Sequence, residues 1–476
     1  MISHEEIKGL VSQWGLREDV VEKDYVIGWV LWGISISDEL KKSWVFKGGT
    51  CLKKCYIDTY RFSEDLDFSV FPDGPVKPEE LEPIIKRVLE RVYEESGIDF
   101  SIKSPAFKYY SDHHYTEGSI YYRGPRNAPS PSRIKLDISG NEKIVGHSVL
   151  RGVMHSYSDD LPKTAQVRCY SFDEIFAEKI RAMGQRSRPR DLYDIIKLFW
   201  REDLQAEPGH IKKVLEQKCA HKNIPVPTFE AIDNSPNKTE LISEWKNMLA
   251  HQLQVLPPFE QYWEELPKLF AWIEGVFTPK PLAAISSEGD AWSPPLTMWV
   301  SGAGLGLEPI RFAAVNHLCV ELEYMKQGVE FKKYLIEPYS LRRTKDDNII
   351  LKAVKHNSHT PDGTFRIDWI RKIKVTNQTF KPKYKIEFAP TGSIGAQPTA
   401  RKSDQGIGSY SSGWGSSRSS SRRQRSTSSW GQKYIFQCGM CQKKFIKSTN
   451  DSKLRKHKNT FGVTCSGRTC YLVGYK

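Results

Sequence analysis

Apolar residues crowd VVEKDYVIGWVLWGI, and the run predicts an apolar helix near the start of the chain. A short strand, WVFKGG, follows, then a helix opening at Thr50 and a second strand, LDFSV. The segment KPEELEPIIKRVLERVYEE predicts a helix over 78–96. Residues 98–138 alternate apolar and polar positions, as in IDFSIK and RIKLDIS, which is the two-residue period of strands. Helices first and strands next predict an α+β domain built on a mixed sheet, with a helical part running to about residue 280. After the Pro-rich stretch PKPLAAISSEGDAWSPP, residues 296–388 return to strand alternation in VELEY, KKYLIEPYSL and NIILKAV, so a second, β-rich domain is expected. Residues 391–432 are dominated by Ser, Gly, Gln and Arg and cannot bury enough apolar area to order themselves; they read as a flexible basic linker before a final module, 433–476.

The length of 476 residues fits this division, since one hydrophobic core rarely spans more than roughly 250 residues. The formal charge of +13 points to a polyanionic partner, and its distribution sharpens the point. Residues 391–476 hold sixteen Lys and Arg against Asp404 and Asp451, a net of +14, leaving 54 against 55 in the rest of the chain. The basic character therefore belongs to the tail. Apolar runs fall short of the roughly 18 residues of a membrane span, and MISHEEIKGL lacks the pattern of a signal peptide, so a cytoplasmic protein without membrane contact is expected. Of nine cysteines, Cys51, Cys55, Cys169, Cys219 and Cys319 are scattered and read as buried thiols, while four crowd the last forty residues and suggest a metal.

The densest chemistry lies in FKGGTCLKKCYIDTYRFSEDLDFSV. Gly48, Gly49 and Thr50 fall between a strand and a helix start, where backbone amides can cradle a triphosphate. In the next strand Leu66, Phe68 and Val70 share one face, so Asp65 and Asp67 share the other. RIKLDIS repeats the arrangement with Ile134, Leu136 and Ile138 on one side and Asp137 on the other. Three carboxylates suit a two-magnesium phosphoryl-transfer site, because magnesium bridges triphosphate oxygens and neutralises developing charge.

A second patch is SFDEIFAEKIRAMGQRSRPRDLYDIIKLF. Ser171 and Glu174 read as a capping box, and Phe172, Ile175, Phe176, Ile180 and Met183 form the apolar face of the helix it starts. Lys179 lies within that stripe; it either meets an anion such as a nucleotide phosphate or snorkels past the core. In the next helix, opened by Pro189, Leu192, Ile195, Ile196 and Phe199 make the core stripe. Asp191 lies at its flank as a site candidate, whereas Asp194 faces away as a solvated acid.

FKGGT, RFSEDLDFS, AEKIRA and RPRDLYD resemble the signature segments of AbiEii/AbiGii-type nucleotidyltransferases, within the polymerase-beta-like superfamily, over roughly residues 20–275. The resemblance implies a metal-dependent enzyme that moves a nucleotide from an NTP to an acceptor, RNA and plausibly the tRNA 3′ end, as a toxin or antiphage effector with an antitoxin partner. It also implies that Gly49, Thr50, Asp65 and Asp67 form the triphosphate and metal motif, and that Lys179 and Asp191 match the later lysine and aspartate motifs. Fourteen residues separate Thr50 from Asp65, longer than is usual in the wider superfamily.

Within residues 310–377, IRFAAVNHLCVELEYMKQ, KKYLIEPYSLRRTKDDNIILKAV and FRIDWIRKIKV resemble a WYL domain, a small SH3-like β module, with its tripeptide at Ile349, Ile350 and Leu351. Such modules are linked to ligand or nucleic-acid sensing, so Tyr339, Arg342 and Arg343 could form a phosphate-binding face. The tail gives C-x2-C, fifteen residues to His457, seven more to Cys465, then Cys470. That is zinc spacing, with Cys438, Cys441, His457 and Cys465 as first choice and Cys470 as alternate fourth ligand of a closed structural site. Lys443, Lys444, Arg455 and Lys456 lie among those ligands and suit a phosphate backbone. The competing reading is a noncatalytic nucleic-acid-binding regulator; a protein acceptor is a third possibility that keeps the chemistry.

Overall fold

The computed structural model describes residues 1–388 apart from 163–164, 202–205, 295, 297–305, 327–329, 347 and 357–361; in the tail it describes 434–438, 444–447, 457–458, 464–465 and 469–475. The chain divides into two units, Met1–Ala400 and Arg401–Lys476. The 391–432 segment lies outside the described residues.

The first unit opens with α1 (His4–Trp14) and α2 (Glu18–Ile36). In α2 the apolar run is buried on most faces, and the helix packs against the first sheet and its covering helix. After α3 (Leu40–Ser43) comes β1 (Trp44–Lys47), then the short α4 (Gly48–Cys51), which runs on into a π-type turn over Leu52–Tyr56. Strand β2 (Asp65–Val70) and helix α5 (Pro78–Ser96) fall where the pattern places them. The remaining strands of the sheet are β3 (Ala106–Tyr110), β4 (Tyr115–Tyr122), β5 (Ser132–Ser139), β6 (Val149–Gly152) and β7 (Gln166–Cys169), in the order β3-β4-β5-β2-β1-β7-β6. The sheet is mixed: β2 runs parallel to β5 and β1 to β7, and the other pairs are antiparallel. One expected strand is absent. IDFSIK makes only an isolated bridge, Asp99 to Arg123, because its backbone turns at residues 101–103.

Helices α6 (Phe172–Arg186) and α7 (Pro189–Phe199) follow, and helical structure continues to Ile273. Ser171 caps α6 by accepting from the Glu174 amide at 3.2 Å. The reciprocal half of the expected capping box is missing: the Glu174 carboxylate accepts from the amides of Val145 and Gly146 and forms an ion pair with Lys218. It fastens a loop rather than its own helix.

A helix over Glu308–Val315 leads into the second sheet, whose strands are β8 (Asp290–Ala291), β9 (Leu318–Lys326), β10 (Glu330–Arg343), β11 (Ile349–Lys355), β12 (Asp362–Arg366) and β13 (Ile370–Thr379). The order is β12-β11-β10-β9-β13, with β8 also on β10, and every pairing is antiparallel. This sheet shares its core with the helical part. Asn316 Oδ1 accepts from Tyr193 at 2.9 Å and from Tyr262 at 3.1 Å, and Lys197 donates to the Val315 carbonyl. Arg311 reaches Asp58 at 3.1 Å. Tyr193 and Lys197 belong to α7, so one helix is held between both parts.

In the second unit, β14 (Tyr434–Cys438) lies between β15 (Lys444–Lys447) and β18 (Cys470–Tyr475), and β16 (His457–Lys458) pairs with β17 (Thr464–Cys465). No described helix is long and apolar enough to cross a membrane.

Candidate active site

The site starts from strand periodicity. Leu66, Phe68 and Val70 are buried, and so are Ile134, Leu136 and Ile138 on β5, which turns the acids of both strands to the opposite face. The parallel β2–β5 register sets Asp67 opposite Asp137, and Asp65 sits two residues along from Asp67. Lys47 is the partner of Asp67 on β1. Three carboxylates thus occupy neighbouring positions on two paired strands.

The glycine turn is fitted to them. Gly48 has φ +81°, and a Cβ there would lie 2.2 Å from Asp67 Oδ2, so only glycine lets the turn approach the acid. A Cβ on Gly49 would meet Arg61 Nη2 at 2.6 Å. Thr50 is buried and its hydroxyl donates to the Asp65 carbonyl. Its side chain ties the turn to β2, leaving the turn's backbone as the part available to a phosphate.

The electrostatics show what the acids need. Burial, together with the charges of Asp137 and Asp65, pushes the Asp67 carboxyl up to about 6 despite Lys47 and Lys179 nearby. Asp65 is raised for the same reasons, burial first and Asp137 second. Asp137 is engaged by the Tyr115 hydroxyl and by Lys135 at 3.1 Å. A set of hard oxygen donors that repel one another fits a divalent cation such as magnesium, which relieves the repulsion when bound. Asp65, Asp67 and Asp137 are the residues that would hold it.

Cations from α6 and α7 face this set. Lys179 is nearly buried; its Nζ lies 2.7 Å from Asp194 Oδ2 and 3.8 Å from Asp191 Oδ1, and its charge is felt at Asp67. Arg186 also acts on Asp67, and Arg190 on Asp65. Asp191 is buried, with both oxygens taken by Arg186 at 2.7 and 2.9 Å; it positions cations and is not open to a metal.

Asp194 departs from its expected place in solvent. It is fully buried and accepts from Arg61 Nε and Nη2, both at 2.7 Å, and from Tyr60 at 2.6 Å, besides Lys179. Burial opposes its ionisation, yet Arg61 and Lys179 hold its carboxyl far below the usual range. The reason lies in the loop before β2, which brings Arg61 onto a helix face that period counting assigns to solvent. Arg61 stands in the RFSEDLDFS segment, but nothing in its spacing names a partner 133 positions away.

The expected phosphate face on the second sheet is not formed. Tyr339 is buried and donates to Glu337 at 2.7 Å, while Arg342 is buried in an ion pair with Glu387 at 2.5 Å. Their strand turns these side chains into a packed layer that only long-range contacts reveal. Arg343 is exposed, its guanidinium 4.6 Å over the Trp292 ring.

In the second unit, Cys438 and Cys470 are buried cross-strand partners, and His457 is the register partner of Cys465. Lys444 is exposed on β15. Cys441, Lys443, Arg455 and Lys456 lie outside the described residues.

Residues 29–265 match the family model described as nucleotidyl transferase AbiEii toxin, type IV TA system. No curated protein matches the chain.

Proposed function

The chain belongs, through residues 29–265, to the AbiEii nucleotidyl transferase toxin family, and on that premise we propose that it transfers a nucleotide from an NTP to an RNA acceptor, the tRNA 3′ end foremost. The observation that carries this reading is the placement of Asp65, Asp67 and Asp137 on adjacent strands beside the Gly48–Gly49 turn. Bound magnesium would supply charge neutralisation on the triphosphate and help deprotonate the attacking hydroxyl. Asp65, Asp67 and Asp137 would hold the ions, and the backbone of the glycine turn would receive the phosphates. Lys179, aligned by Asp194 and Asp191, and the half-exposed Arg186 present positive charge to the triphosphate. No side chain has to form a covalent bond to substrate.

The tail, with its net of +14, is the RNA-capturing part, and Lys443, Lys444, Arg455 and Lys456 belong to it. Structural zinc would fasten it. Cys438, Cys441, His457 and Cys465 are its ligands, and the cross-strand pairing of Cys438 with Cys470 supports Cys470 as the alternate fourth. The biological role is that of a toxin in phage defence, restrained by an antitoxin, in the cytoplasm.

The reading is tested by incubating the protein and its Asp67→Ala variant with each labelled NTP, magnesium and total RNA, then sequencing the labelled 3′ ends. Label on RNA from the parent alone is the expected result. Label on protein instead would redirect the acceptor, and equal labelling by both proteins would remove the triad from the chemistry.

A further inference from the structure

Three of the cysteines that read as scattered thiols come together in the fold. Cys51 closes α4, Cys55 follows four residues on in the π-type turn, and Cys169 ends β7, opposite Phe46 of β1. All three are buried, and their Sγ atoms all lie within 4.8 Å of one another. Three thiolates around one cation at the usual bond length of about 2.3 Å stand roughly 4 Å apart, so the sulfurs need little closure to share an ion. Close packing alone would bring apolar thiols together, but it would not place charge beside them.

The surroundings are cationic. Arg151, buried on β6 next to β7, sets its guanidinium 4.6 Å over the Tyr56 ring and acts on both Cys55 and Cys169. Lys54 also acts on Cys55, its own ammonium paired with Asp24 at 2.5 Å. Burial pushes the Cys51 and Cys169 thiols well above their ordinary value, while contacts from these two sulfurs, with Lys54 and Arg151, lower that of Cys55.

We propose that Cys51, Cys55 and Cys169 form a buried three-sulfur site for one thiophilic d10 cation, zinc(II) or copper(I), beside the glycine turn. Its role is structural. The trio is buried away from substrate, and loading releases the thiol protons to solvent as the chain folds. The ion would pin α4 and the π-type turn to β7, and so fix Thr50, whose hydroxyl holds the turn to β2. The inference is independent of the acceptor and of the transfer reaction.

The test uses the full chain carrying Cys438→Ser, Cys441→Ser, Cys465→Ser and Cys470→Ser, refolded in reductant with zinc(II) or copper(I) and desalted into magnesium. Elemental mass spectrometry should find one equivalent of one of the two metals per chain, released to a chromogenic chelator only on unfolding. Adding Cys55→Ser should remove that equivalent. A serine-substituted chain that holds neither metal, or whose content Cys55→Ser leaves unchanged, overturns the site. If these chains do not fold, the parent and its single Cys55→Ser or Cys169→Ala variants are compared: a difference of one equivalent supports the site, and equal content overturns it.

Discussion

Lys179 Nζ meets Asp194 Oδ2 at 2.7 Å inside the protein, so the ammonium that faces the acid triad is held by a carboxylate with no solvent exposure. Asp194 also carries Arg61, and its loss would leave two buried cations against a neutral side chain. Asp194→Asn should therefore cost about 3–5 kcal/mol in denaturant unfolding, the usual effect of breaking a buried charge pair from one side. In the protein that remains folded, KM for the NTP should rise, because Lys179 loses its alignment. Unchanged stability would show that Arg61 and Lys179 find other partners.

Asp65, Asp67 and Asp137 should behave in the opposite way. They repel one another, so Asp67→Asn should leave the melting temperature of metal-free protein unchanged or higher, while nucleotide transfer falls by about 100-fold or more. Melting with and without magnesium separates the effects: the parent should gain stability from the ion, and the variant should not.

These two groups of acids also show how far the chain could be read unaided. The triad is local, since alternation along β2 and β5 decides which way each carboxylate points, and buried Leu66, Phe68, Ile134 and Leu136 leave one answer. The helix over 78–96 and the apolar α2 follow in the same manner. Asp194 and Arg342 could not be placed this way. Each lies on a face that its own element's period assigns to solvent or leaves open, and each is buried by a distant residue, Arg61 in one case and Glu387 in the other. The trio of Cys51, Cys55 and Cys169 was hidden for the same reason, since β7 arrives beside β1 only after more than a hundred residues.

Glu308 should make the first unit less stable as the pH rises. Burial lifts its carboxyl to about 8 against Arg311, from an ordinary value of 4.5. The folded state therefore favours the protonated form; its advantage is complete below the unfolded value and is lost as the pH rises through the folded one. Between pH 5 and 8 the parent should lose on the order of a few kcal/mol that Glu308→Gln does not lose, measured by denaturant unfolding at each pH. Parallel pH curves for the two proteins would show that Arg311 keeps the carboxylate charged.

Removing Arg401–Lys476 should weaken RNA binding and flatten its dependence on salt, while NTP binding to the remaining unit is kept. Affinity measured across a range of salt gives both quantities. Equal slopes for the full and shortened chains would place the polyanion contact elsewhere.

The hydrogen bonds of Asn316 carry a consequence for how such a chain can be assembled from interchangeable parts. The matched segment stops at residue 265, yet Asn316, beyond it, accepts from Tyr193 and Tyr262 within it, and Lys197 ends on the Val315 carbonyl. The matched segment is therefore smaller than the unit that packs together. A lineage that exchanged the β module for another would leave two phenols and an ammonium stranded at the seam, so recombination there must either carry an equivalent of Asn316 or remodel α7. Since α7 also bears Asp191 and Asp194, a change at this seam would reach the carboxylates that orient Lys179.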